Sequence, residues 1–288
     1  MPREFQSRLH MVAAIVGSAT VLIGCGTHGA ADSARRQSDF QLTPDRSYSH
    51  RGWIGIRVGG LPNGTGVLVT GTVPRSPATA AGIHAGDQLM RADGRPVQGP
   101  EEFVRLIRSR EAGTRLALTG SRDGKPQMFS LSIEESPDEN GVLERTLVNL
   151  PAPALDGLKS LTTEAAPNWP SLRGRIVVLD FWAPWCGVCH LVTSELNRWQ
   201  ERFGDRVTVI GIASGSVTQI AQSAPRFHMQ YRVVADPEER VIRAYDAFAV
   251  PLILVVDASG VVRAVSLGYS SLRLTEMEQL VQKLLAPS

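Results

Sequence analysis

The chain has 288 residues, enough for two domains of ordinary size. With 43% hydrophobic and 20% charged residues it is too apolar for a disordered chain. Its formal net charge of +2 excludes the strongly basic balance of a nucleic-acid binder, and no nucleic acid is expected as a partner.

Arg3 and Arg8 precede MVAAIVGSATVLIG, an uncharged run of 14 residues ending at Gly24. A membrane-spanning helix needs about 20 apolar residues, so the run suits the core of a signal peptide. It ends in Leu22-Ile23-Gly24-Cys25, which resembles the lipobox of bacterial lipoproteins. That resemblance implies a signal peptide over 1–24, lipidation of Cys25, and a membrane anchor on the extracytoplasmic (periplasmic) side of the inner or outer membrane. The alternative is a plain cleaved signal, with HGAADSA offering small residues further on. A lipidated Cys25 would account for the odd one of three cysteines, leaving Cys186 and Cys189 as a pair. Residues 25–50 have no hydrophobic period and read as a flexible tether, which as a coil would span roughly 25–30 Å.

Residues 51–135 form a block of short strands and turns. Strands are expected at 66–70, 115–119 and 128–133, with Ser121-Arg122-Asp123-Gly124 turning between the last two. Phe103, Leu106 and Ile107 have the spacing of one helix face. The run GWIGIRV (52–58), the connector VPRSPATAAGIHAGDQLMRADGRPV (73–97) and the helix from Glu101 together resemble a bacterial PDZ domain. The resemblance implies that Trp53, Ile54, Gly55 and Ile56 form a loop that binds a peptide or a C-terminal carboxylate. The physical basis is sound, since glycine lets backbone N–H groups turn toward an anion and an extended peptide adds as a strand. Ile54 and Ile56 can equally be core strand residues of a docking module that captures no chain end.

Residues 136–147 read as a linker, and the segment to 170 as the approach to a first hairpin of a second domain over 148–288. From Ile176 to Phe181 the chain is almost continuously apolar, the pattern of a strand covered on both faces. Val188, Val192, Leu196, Trp199 and Phe203 share a helix face, and 207–213 is a second buried strand. This alternation calls for a mostly parallel sheet. A hairpin at 251–265 and a last helix bearing Met277, Leu280, Val281, Leu284 and Leu285 complete it.

The pair Cys186-Gly187-Val188-Cys189, followed by His190, is compatible with a redox dithiol, half of a zinc site, or a haem attachment. Zinc lacks a second cysteine pair, and haem would need an open pocket and a second axial ligand, for which Met229 or His228 could be imagined. Cys186 is expected at the start of a helix, where unpaired N–H groups favour a thiolate. A disulfide across two residues constrains the unfolded chain little, so it suits a switch better than a staple.

Ile176 to Cys189, IVVLDFWAPWCGVC, resembles thioredoxin, and more particularly the membrane-anchored oxidoreductases of the TlpA/ResA type. The resemblance implies Cys186 as nucleophile, Cys189 as resolving thiol and Asp180 as its buried proton acceptor. It also implies Trp185, Val250 and Pro251 as substrate-binding residues, Pro251 by likeness of DAFAVPLILVVDASG to the segment that carries a cis-proline. Residues 231–248 resemble the added strand and helix of the TlpA type. Gly187-Val188 departs from the Gly-Pro of thioredoxin, which leaves the direction of electron flow open, and His190 adds an adjustable charge beside the pair. Ala183 stands where a peroxidase would have threonine.

The fold class expected is a PDZ-like, small, partly open β-barrel followed by an α/β thioredoxin-like domain with a mixed sheet flanked by helices. The function expected is reduction of protein disulfides, with protein thiol or disulfide substrates, a transmembrane electron donor, a peptide ligand on the PDZ domain, and no metal or cofactor. A disulfide oxidase or isomerase, and a non-catalytic adaptor or chaperone, are the alternatives.

Overall fold

A computed structural model describes residues 51–62 and 64–286. The expected signal peptide, Cys25 and the tether lie outside the described residues. Among the described residues no helix is long and apolar enough to cross a membrane.

The first domain begins with β1 (Gly52–Trp53), β2 (Ile56–Gly60) and β3 (Val67–Thr72), followed by the short helix α1 (Pro77–Ala80). Ser76 caps α1 through a reciprocal capping box with Thr79. Next come β4 (Gln88–Ala92), β5 (Arg95–Pro96), α2 (Pro100–Arg108), β6 (Arg115–Arg122), β7 (Lys125–Ser132) and β8 (Glu134–Glu135). The expected turn joins β6 to β7, with Asp123 and Gly124 both at positive φ as a two-residue hairpin requires. The sheet runs β2-β3-β4-β6-β7, with β5 paired to β4, so it is open and does not close as a barrel. Phe103 and Ile107 of α2 enter its core beside Ile54, Leu89, Leu116 and Leu118. Asp87 is fully buried and is held by Arg122, whose Nε and Nη2 donate to its two oxygens at 2.6 and 2.8 Å.

Residues 136–147 are more than a linker. They include α3 (Glu139–Leu147), capped by Asp138, which sends Leu143 and Leu147 into the second domain's core. Asn140 pairs its side-chain amide with the backbone of Leu267. The expected first hairpin is absent. The segment instead supplies β9 (Lys159–Ser160), a two-residue edge strand, and α4 (Trp169–Leu172).

The rest follows the apolar runs: β10 (Ile176–Trp182), α5 (Cys189–Phe203), β11 (Val207–Ser214), α6 (Val217–Ser223), β12 (Arg232–Asp236), α7 (Arg240–Ala244), β13 (Leu252–Val256), β14 (Val262–Leu267) and α8 (Ser271–Leu285). The strand order is β14-β13-β10-β11-β12-β9. The pairs β10–β11 and β11–β12 are parallel, while β13, β14 and β9 are antiparallel to their neighbours. Every residue of β10 is buried, and its side chains alternate between two cores. Val177, Leu179 and Phe181 meet α3 and α7, whereas Ile176 and Val178 meet α5 and α8. Asp180 and Trp182 continue the second series and so project on the α5 side.

The two domains touch. Arg57 of β2 pairs with Asp246 at 2.7 Å. Arg75 donates to the carbonyls of Glu144, Arg145 and Val148 at 2.6–3.0 Å, closing the C-terminal end of α3, where free carbonyls collect. Arg145 in return donates to the Arg75 carbonyl, pairs with Glu134, and lies over the Trp53 ring at 5.0 Å.

Candidate active site

The fully buried strand β10 ends at Trp182, and the chain must turn from it into α5. Ala183 to Val188 make that turn. Cys186 N–H donates to the Ala183 carbonyl at 3.0 Å and Cys189 N–H to the Cys186 carbonyl at 3.2 Å. Cys189, not Cys186, is the first helical residue; Cys186 stands in the tight turn ahead of it. Val188 is the N-cap and is exposed, so it is not on the buried helix face, whereas Val192, Leu196, Trp199 and Phe203 are. Cys186 and Cys189 are joined by a disulfide, with Cα atoms 5.5 Å apart. Both are buried, at 4% and 1% exposure, within a cluster with Trp182, Ala183, Ile220 and Phe227.

Asp180 is 1% exposed. Burial pushes its carboxyl up to about 7, against a smaller opposing effect of the hydrogen bond from Tyr231. The Tyr231 hydroxyl lies 2.8 Å from Asp180 Oδ2 and 3.5 Å from Thr193 Oγ1. Thr193 is buried and sits one helical turn after Cys189, on the same face of α5. Among the described residues, none gives the buried Asp180 Oδ1 or Trp182 Nε1 a hydrogen-bond partner. Gly211, opposite Asp180 in the register of β10 and β11, makes room for this group. A Cβ there would come within 3.2 Å of the Tyr231 ring and 3.3 Å of the Trp182 indole.

The segment before β13 runs past the cysteines, and Val250 packs against their cluster. The Val250–Pro251 peptide bond is cis. Trp185 is 79% exposed, and Phe248, three residues before Pro251, is 69% exposed. Sequence reasoning passed over Phe248; its only local signal is an aromatic in the loop DAFAVP. Tyr231 and Thr193 were missed as well, because neither is near Asp180 in sequence. His190 stacks face to face on Phe227, with ring centroids 4.2 Å apart. Of the residues imagined as haem ligands, His228 is exposed in a left-handed turn and Met229 packs against the core. Among the described residues no cluster of three or more His, Cys, Asp or Glu side chains is placed to hold a metal ion.

In the first domain, Trp53 belongs to β1 and Ile54 is a core residue, 1% exposed. Gly55 has φ +73°, and its carbonyl accepts from Val73 N–H at 2.8 Å and from the Ser76 hydroxyl at 3.4 Å. A Cβ at Gly55 would fall 2.2 Å from that of Ser76, so the turn admits only glycine. Ile56 opens β2, the edge strand of the sheet, and packs with Val58 and Leu106 at the rim of the core.

Residues 52–133 match the family model of the PDZ domain, and residues 152–265 match that of the AhpC/TSA family. The chain carries a PDZ domain followed by a thioredoxin-like domain. The PDZ match contains the Trp53–Ile56 turn, and the thioredoxin-like match contains Asp180, both paired cysteines and Pro251. Among curated proteins, the chain is 40% identical over 72 residues to the magnetosome formation protease MamE of Paramagnetospirillum magneticum, covering 25% of this chain and 10% of that one. It is 25% identical over 126 residues to the thioredoxin-like protein YneN of Bacillus subtilis, covering 42% of this chain and 72% of that one. The chain thus spans about a tenth of the length of MamE, and 20% of a DegP-like protease of Brucella suis. Among solved structures, a thiol:disulfide interchange protein of the thioredoxin family from Chlorobium tepidum is 23% identical. That match covers 48% of this chain and 97% of that one, with a TM-score of 0.40.

Proposed function

We propose that this protein is a thiol–disulfide oxidoreductase that reduces protein disulfides, anchored on the extracytoplasmic side of a membrane through lipidated Cys25. The observation that carries the reading is the Cys186–Cys189 disulfide at the head of α5, which follows a strand whose α5 side carries a buried carboxyl group with its pKa raised to about 7.

In the reduced protein, the Cys186 thiolate attacks one sulfur of a substrate disulfide. A bond forms between Cys186 and that sulfur, and the other substrate sulfur leaves as a thiolate. Cys189 then gives its proton to Asp180 and attacks Cys186 Sγ, which releases the second substrate thiol and closes the disulfide seen here. Two electrons pass to the substrate, and a thiol donor across or within the membrane returns them. A carboxylate with a pKa of about 7 is matched to this task, since it accepts a proton readily and gives it back on re-reduction. Trp185, Val250 and Pro251, with Phe248, offer the apolar and backbone surface on which an unfolded substrate segment would lie.

The PDZ domain recruits the partner. Among the described residues β2 ends its sheet, and an extended peptide can add to its outer edge as a strand. Arg57 of that strand pairs with Asp246, five residues before Pro251, so a chain held on β2 would run close to the loop leading to the disulfide.

The test is a titration of the full-length protein, in detergent, against thiol buffers of graded potential, with alkylation and mass readout. One two-electron transition near roughly −270 mV supports the reductase, and one near roughly −120 mV makes the protein a disulfide donor instead. No transition overturns the enzyme and leaves an adaptor. Intact mass of the mature N-terminus, with Cys25→Ser beside it, tests the anchor, and an unmodified Cys25 refutes it.

A further inference from the structure

We propose that Tyr231 is a positioning residue for Asp180: its phenol engages one carboxylate oxygen, Oδ2, and leaves the other, Oδ1, as the atom that exchanges a proton with Cys189. The inference rests on the oxidoreductase reading above.

The geometry is restrictive. A phenol has one hydrogen to donate, and a buried carboxylate 2.8 Å away is the stronger acceptor, so the hydrogen goes to Asp180 and Thr193 is left to donate weakly to the phenol oxygen at 3.5 Å. The Tyr231 ring has little room to move: it lies over Gly211 and is itself buried. The carboxylate is therefore held in one rotation, with Oδ2 occupied and Oδ1 buried and unpartnered. An unpartnered oxygen in an apolar site costs stability, and it is also the carboxylate oxygen that no donor occupies when a proton arrives.

The groups facing Asp180 are few. Tyr231 comes from the segment ahead of β12 and Thr193 from α5, β11 opposite contributes only Gly211, and β13 contributes Ile253. Trp182 presents an indole N–H on the same face of β10. No charged side chain takes part in the shift of Asp180: burial raises it and the phenol lowers it. Burial and the neighbouring carboxylate push the phenol itself far above its ordinary range, so it stays protonated and remains a donor at every working pH.

In the resolving step the proton on Cys189 Sγ passes to Asp180 Oδ1. The thiolate forms a bond to Cys186 Sγ, the Cys186–substrate bond breaks, and the electron pair leaves with the substrate sulfur. Loss of the phenol should raise the proton affinity of Asp180 further and free the carboxylate to rotate.

The experiment is the pH profile of disulfide reduction by the full chain, for the wild type, Tyr231→Phe, Asp180→Asn and the double variant. The expected result for Tyr231→Phe is a rising limb moved up by about one pH unit, so that the rate falls about tenfold at pH 6 and recovers by pH 9. In the Asp180→Asn background the same change should have no effect on the profile. Thr193→Val, which keeps the phenol, should shift the limb the same way by less, and it serves where Tyr231→Phe does not fold. A Tyr231→Phe limb coincident with the wild type, with Asp180→Asn flattening it, overturns the positioning role alone. A profile that Asp180→Asn leaves unchanged overturns the reading of Asp180 as the base, and a protein without disulfide reductase activity overturns the reading beneath both.

Discussion

The two domains hold their candidate functional atoms in opposite ways. In the thioredoxin-like domain the central strand is covered on both faces, and the single carboxyl group placed in it cannot reach water. Its raised affinity for protons comes from that isolation. In the PDZ domain the candidate surface is the outer backbone edge of β2 and the turn at Gly55, where side chains such as Ile54 serve the core and main-chain groups would meet the ligand. A buried site is set by which side chains burial leaves unpaired, and an edge site by which backbone groups the sheet leaves unpaired.

Substitutions separate the two. Cys186→Ser should have the largest effect, lowering disulfide reduction by about a thousandfold or more in a standard turnover assay, since it removes the proposed nucleophile. Binding of a peptide to the PDZ domain, followed by calorimetry, should be unchanged in the same variant. Substantial turnover by this variant would mean that Cys186 is not the nucleophile.

Asp180→Asn should stabilise the oxidised protein. The carboxyl is raised in the folded state, so the native protein binds its proton more tightly than the unfolded chain does. Stability from this group is therefore fully present below about pH 4 and is lost as pH rises toward about 7. Denaturant melts at pH 8 should show a gain of about 2–4 kcal/mol over the wild type, and melts at pH 4 almost none. An equal effect at both pH values would mean that Asp180 is not isolated.

Asp87→Ala works the other way. Its charge is paired with Arg122, which holds the carboxyl below the usual range, so its contribution is present above the unfolded pKa and is lost as pH falls through the folded one. Removing it should destabilise the PDZ domain, because both hydrogen bonds from the guanidinium and the one from His84 N–H lose their acceptor. The redox potential of Cys186–Cys189 should stay where it was.

The smallest effect belongs to the contact between the domains. Arg75→Ala removes three hydrogen bonds to the end of α3, at a cost of about 1–2 kcal/mol. Limited proteolysis at 136–139 should then speed up while both domains keep their separate melting profiles. A merged and unshifted transition would show that the α3 clasp is not what joins them.

Those parts of the protein that depend on near neighbours can be read from the order of residues. A continuous apolar run can only be a strand buried on both faces, so β10 was legible, and an aspartate within it was visible as an exception. Asp123-Gly124 suits the positive φ of a two-residue hairpin, and the two-residue gap between the cysteines allows the disulfide that is seen. Helix α3 was not legible, because its apolar residues are few and its place depends on Leu143 and Leu147 finding the far core. The helix after the cysteines begins at Cys189, three residues after the start expected at Cys186, since Ala183 to Val188 are used up in turning out of the sheet. Folding alone brings Tyr231, 51 residues from Asp180, to donate to it, and brings Arg57 to Asp246, 189 residues away. Local periodicity carries no information about which distant surfaces meet; that is settled when the two cores close, and the polar groups caught between them must find whatever partner is within reach.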